Sequence, residues 1–275
     1  NGVPIKDGAF AMEQMQVAMT YVSDAFGQMQ GPAESARESM EQLDKVMNMY
    51  HFDRKLRLLL FNEMEKIEVA FRSVIVNVVT DELGDVFWMT EGSYFKNESY
   101  FKASLNLIQS EYEKSKEEFI IHFKNKYSDS YPPAWMIAEI LPLGNLCHIY
   151  MNLKSQKAKK KVAKYFGLQE PVFSSWMLVL GNLRNMCCHH SRTWNRELAV
   201  NTANPHKTIY PWIDISKTNP KRIYYRISMI RYLLFTISPN NKFKDKLKNL
   251  IDKYPTIDSN AIGFPIDWES EPLWS

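Results

Sequence analysis

Between Leu56 and Phe71 the apolar residues Leu56, Leu59, Leu60, Met64, Ile67 and Phe71 recur mostly at intervals of three and four. An α-helix gathers that spacing on one face, whereas a strand would scatter it over two. The stretch follows Gly31-Pro32 and reads as helix from near Ala33 to as far as Thr80. A helix of that length must bury its stripe against several partners, because isolated helices are marginal in water. The rest of the chain supplies them. Ala9 to Gln30, Phe101 to Tyr127, Ala134 onward, Lys157 to Phe166, Val172 to Trp194, Arg222 to Ile237 and Phe243 to Tyr254 all read as helix. Pro142 to Gly144 interrupts the segment after Ala134, and Gly84 to Ser99 reads as loop. Sustained two-residue alternation is absent, and 10 glycines are few for a fold built on tight turns. The expected fold is all-α: a helical domain over 45–254, an N-terminal helical element over 1–44, and an irregular tail over 255–275 that packs back on the domain through Trp268 and Trp274.

Composition narrows the function classes. A net charge of +3 permits nucleic-acid binding without arguing for it, since such footprints are local clusters. The three cysteines, Cys147, Cys187 and Cys188, are odd in number and two are adjacent, which excludes a disulfide framework and points to a reducing compartment. No apolar run approaches the roughly 18–20 residues of a membrane span, and no signal peptide is visible. The expectation is a cytoplasmic protein without membrane partners.

Chemistry concentrates in LGNLRNMCCHHSRTWNRE, residues 180–197. Arg184 carries a permanent guanidinium charge suited to phosphate. His189 and His190 exchange protons near neutral pH. RNA cleavage uses those functions together: a base for the ribose 2′-hydroxyl, a cation for the phosphorane, and an acid for the leaving 5′-oxygen. No metal or other cofactor is required. Asn185, His189, Arg192 and Arg196 lie at i, i+4, i+7 and i+11, and share a face if the helix persists. Arg184 and His189 are five residues apart, roughly 140° around a helix, so they do not stack on one face. A symmetric dimer would bring two such sets to one groove.

Two other readings of the segment are weaker. Contiguous CCHH ligands radiate around a helix and cannot close one tetrahedral zinc site. A Cys187 or Cys188 nucleophile lacks an accompanying oxyanion-hole signal. The plain alternative is that these histidines cap or pack a helix in a non-catalytic module that binds RNA or protein.

The segment resembles the Abi family of bacterial abortive-infection proteins, of the AbiD/AbiF type, within the HEPN superfamily of helical RNases. The resemblance extends through YHFDRKLRLLLFNEMEKIEVAFRSVI (50–75), FIIHFKNKY (119–127), PPAWMIAEILPLGNLCHIYMNLK (132–154), SWMLVLGNLRNMCCHHSRTWNRE (175–197) and GFPIDWESEPLW (263–274). Residues 1–44 lack the basic, aromatic opening usual in that family. The resemblance implies a HEPN-like helical bundle with added helices. It implies a metal-independent endoribonuclease toxin, a homodimer, and restraint by an RNA or protein antitoxin. Arg184 and His189 match the hallmark Arg and His, and Asn185 the polar position between them. His190, Arg192, Asn195 and Arg196 fall in the extended motif as supporting or RNA-contacting residues. Glu68 and Arg72 match the family's IE…R helix, and their i, i+4 spacing suits an ion pair.

Two further stretches attract notice. KSQKAKKKVAK (154–164), with Lys159, Lys160 and Lys161, is either an RNA-backbone track or a solvated helix face. Arg222 to Arg226 mixes cations and aromatics as single-strand binders do, yet at helical spacing such a run is more often half core and half surface.

Overall fold

The structure, a computed structural model, describes residues 34–199 and 202–275, with side chains described from Met40 onward. The helix expected over Ala9 to Gln30 lies outside these residues. Among the described residues there are ten α-helices and no strand beyond one isolated bridge, Phe95 to Leu153.

The first helix, α1, runs Glu34–Leu83 without interruption. At 1.5 Å per residue it is roughly 75 Å long. Its buried stripe starts at Phe52 and continues through Leu56, Leu60, Met64, Ile67, Phe71, Ile75 and Val79, as the spacing requires. The earlier apolar residues Met40, Leu43 and Met47 are exposed. The division expected between residues 44 and 45 therefore falls inside one continuous helix.

The remaining helices are α2 (Glu98–Lys114), α3 (Glu118–Lys126), α4 (Ala134–Ile140), α5 (Leu143–Asn152), α6 (Gln156–Tyr165), α7 (Glu170–Cys188), α8 (Ile223–Ile237), α9 (Phe243–Lys253) and the short α10 (Ser259–Ile262). α1 packs against α4, α5, α6, α7, α8 and α9, so one helix organises a single core.

One expected helix is divided, and another breaks where its proline predicts. Phe101 to Tyr127 divides into α2 and α3 at Ser115, although no Gly or Pro is present. The Ser115 hydroxyl accepts the Glu117 N–H at 3.3 Å, and Lys124 Nζ takes the Tyr112 and Glu113 carbonyls left open at the end of α2. Local side-chain bonds of this kind compete with helix continuation. Pro142 separates α4 from α5 as the sequence suggests, and the carbonyl of Leu141 freed there accepts from Arg72 Nη2 at 2.8 Å. Gly167, at φ 70°, closes the turn after α6. A Cβ there would lie 2.5 Å from Ile209 Cγ1, so Gly is required on both counts.

The tail packs back. Trp274 and Trp268 are buried among Tyr224, Phe243 and Phe264. Tyr224, Tyr225 and Arg226 are buried on α8, so the cation–aromatic run is core rather than a binding surface. No helix among the described residues is long and apolar enough to cross a membrane.

Candidate functional site

α7 carries the candidate residues to its C-terminus and stops at Cys188. Continuation to Trp194, expected from the sequence, does not occur. His189 is the C-cap, its N–H bonded to Asn185 O at 2.9 Å. His190 follows at φ 55°, with its N–H on Cys187 O at 3.2 Å, and Ser191 N–H reaches Met186 O at 2.9 Å. The last two bonds form a Schellman cap, in which the left-handed position usually holds Gly. Here a histidine holds it.

The stop is enforced from α1. Asp53 Oδ1 accepts from Thr193 N at 3.0 Å, Thr193 Oγ1 at 2.6 Å and Trp194 N at 3.0 Å. Its other oxygen pairs with Arg57, whose Nη1 also lies 3.5 Å from Ser191 O. Asp53, Arg57 and Thr193 are all buried. A second left-handed residue, Asn195 at φ 45°, ends this short loop, and its Oδ1 accepts from Arg222 at 3.2 Å. Because the helix ends early, Arg192 and Arg196 stand on the loop rather than on a helical face. Asn185, His189 and Arg196 nevertheless line one groove of about 350 Å³, together with Asn182, Ser191 and Arg226. Arg192 does not line it; it is exposed on the loop.

Arg184 faces another way. Its Nε lies 3.6 Å from Glu68 Oε2, and its guanidinium sits 5.8 Å from the Phe61 ring centre. Glu68 Oε1 pairs with Arg72 at 2.6 Å, so the ion pair expected from the i, i+4 spacing forms and also ties α1 to α7. Within one chain Arg184 and His189 do not converge, which agrees with their helical angle.

Electrostatics separate the titratable groups. His190 titrates below the ordinary histidine range, first because part of its ring is withdrawn from water and then because Arg57, His189 and Arg54 place like charge beside it. Burial pushes the Cys187 thiol up to about 12, so it stays protonated and is a poor nucleophile. Cys187 is buried while His189 and His190 are exposed, and the CCHH run does not close on one point. No group of three or more His, Cys, Asp or Glu suited to a metal occurs among the described residues.

The lysine-rich helix splits in two. Lys159 is buried, its ammonium 2.6 Å from Glu170 and 5.4 Å from the Tyr150 ring centre, so it is a core cation and not a surface contact. Lys161 is exposed and pairs with Glu82 at 2.5 Å, as does Lys157 at 2.6 Å. Lys160 is exposed.

The family model for Abi-like proteins matches residues 26–195, a span from before α1 through the loop after α7. The chain belongs to the Abi-like family. The match begins inside the N-terminal segment, and its C-terminal limit takes in the whole of the Asp53-bound loop. No curated protein and no solved structure matches this Abi-like chain. Sequence reasoning missed Asp53 and Arg57 as neighbours of the site. The only available signal was their i, i+4 spacing beside the buried stripe, which by itself suggests a surface pair.

Proposed function

We propose that this Abi-like protein is a HEPN-type endoribonuclease that acts in abortive infection, a cytoplasmic toxin of bacterial phage defence held in check by an RNA or protein partner. The observation that carries the reading is the placement of His189, exposed at the end of α7 on a groove shared with Asn185 and Arg196. Family membership supports the biological setting.

The chemistry follows from those side chains. The imidazole of one His189 takes the proton of a ribose 2′-hydroxyl. The 2′-oxygen then bonds to phosphorus, and the P–O5′ bond breaks. The same imidazolium then gives that proton up to the departing 5′-oxygen, directly or through water. Arg184 neutralises charge on the phosphorane, and Asn185 positions the phosphate. The products are a 2′,3′-cyclic phosphate and a 5′-hydroxyl. Since Arg184 and His189 of one chain point apart, the reading includes a homodimer in which each site draws on both copies.

Purified protein incubated with RNA in EDTA should release fragments ending in 2′,3′-cyclic phosphate, and His189→Ala should abolish release while leaving the helical fold intact. A His189→Ala protein that cuts at the parental rate would sink the assignment. One observation favours a second, non-catalytic reading: Glu68 already engages Arg184. Parental protein that retards RNA in a gel yet never cuts it would support an RNA-binding module instead.

A further inference from the structure

The end of α7 is held in a way that stability alone explains poorly. Its left-handed position carries His190 where Gly would be easiest. The loop that follows is pinned by a buried carboxylate–guanidinium pair reaching across from α1, with one oxygen of Asp53 taking three donors and the other taking Arg57. Buried ion pairs are weak stabilisers, because desolvation offsets most of their attraction. What a buried and fully bonded pair does supply is fixed geometry. Here the geometry concerns residues 189–196, which bring His189, Ser191 and Arg196 to one groove.

We propose that Asp53 and Arg57 are a positioning pair for the candidate catalytic turn. Asp53 fixes the loop backbone at Thr193 and Trp194. Arg57 holds Asp53 in place and reaches toward the carbonyl of Ser191, the residue after His190. The pair acts through His189 and does not touch RNA. The role rests on the nuclease reading of His189, although the geometry it describes does not.

Three substitutions test it. Arg57→Lys keeps the charge, Arg57→Met keeps bulk without charge, and Thr193→Val removes one of the three Asp53 donors while preserving shape. Each is compared with parental protein at equal folded fraction by circular dichroism. The readouts are kcat and KM for RNA cleavage, backbone amide resonances of 189–196, and imidazole titrations by NMR. Arg57, Arg54 and His189 are among the groups whose charge bears on His190. Arg57→Met should lower kcat roughly tenfold to a hundredfold, as misplacement of a catalytic group does, with KM changed by less than about threefold. It should also shift the amides of 189–196 and move the His190 titration upward. Arg57→Lys should recover most of kcat. A folded Arg57→Met protein with parental kcat and an unmoved His190 titration would overturn the role. If the parental protein cuts no RNA, the nuclease reading fails by itself. The pair is then judged on resonances alone, and unshifted amides at 189–196 in folded Arg57→Met and Thr193→Val would overturn it too.

Discussion

His190 stands at φ 55°, a conformation that costs an L-residue roughly 1–2 kcal/mol relative to its usual regions. Gly avoids that penalty but gives back part of the gain as unfolded-state entropy. His190→Gly should therefore stabilise the fold by up to about 1 kcal/mol, raising Tm by about 2–4 °C in a thermal melt. A fall in Tm would show that the imidazole makes contacts worth more than the strain. The same residue gives the fold a pH dependence. Its pKa is lowered in the folded chain, so the unfolded chain binds more protons as pH falls below the ordinary value of 6.5. Stability from this group is present in full above that value and is lost as pH falls toward the folded pKa. Denaturation midpoints should decline on acidification through that window, and His190→Gln should decline less. An equal decline in both proteins would assign the effect to other groups. At this scale the sequence was partly legible. Five residues of helix separate Arg184 from His189 by arithmetic, and the structure puts Arg184 on Glu68 and His189 on the groove. The left-handed turn at His190 was not legible, because neither Gly nor Pro marks it.

At the scale of elements, α1 and α7 show what local pattern does and does not carry. The stripe from Leu56 to Phe71 sufficed to place α1, because burial repeats faithfully along a regular helix. The end of α7 depends on Asp53, which lies 140 residues upstream of Thr193, so no window around residue 189 contains the cause. The same limit applies to Lys159. Within KAKKK the lysines look equivalent, and only the position of Glu170 at the start of α7 distinguishes the buried one. The split of α2 from α3 at Ser115 likewise turns on Lys124 reaching back to two carbonyls. These tertiary dependences have measurable consequences. Asp53→Ala leaves Arg57 buried without its carboxylate and strips three donors of their acceptor. Breaking a buried pair in this way costs about 3–5 kcal/mol, which chemical denaturation would register as a lower midpoint. Replacing both partners, as Asp53→Leu with Arg57→Met, should cost less than Asp53→Ala alone. If the double variant is the less stable of the two, the pair is worth more to stability than to geometry.

At the scale of the whole molecule, the question is how one chain with Arg184 and His189 on separate faces could cut RNA. The proposed dimer answers it by taking Arg184 from one copy and His189 from the other, and that arrangement has a countable consequence. Arg184→Ala retains His189, and His189→Ala retains Arg184. Each homodimer of a variant is inactive, since every composite site lacks one member. Mixed in equal amounts under conditions that allow subunit exchange, half of the dimers become heterodimers. Of the two sites in a heterodimer, one lacks both residues and the other has both. The mixture should therefore recover about one quarter of the parental rate, following from two-fold symmetry alone. Recovery should rise with incubation time as subunits exchange and should be absent when either variant is mixed with itself. A mixture that stays inactive while an affinity tag on one variant pulls down the other would place Arg184 and His189 in the same chain's site, requiring Arg184 to leave Glu68 and swing about the helix. Arg184 would then need to release an ion pair at 3.6 Å before catalysis, and Glu68→Gln should speed cleavage instead of leaving it unchanged. The two outcomes thus separate a site completed by a second copy from a site completed by a side-chain movement.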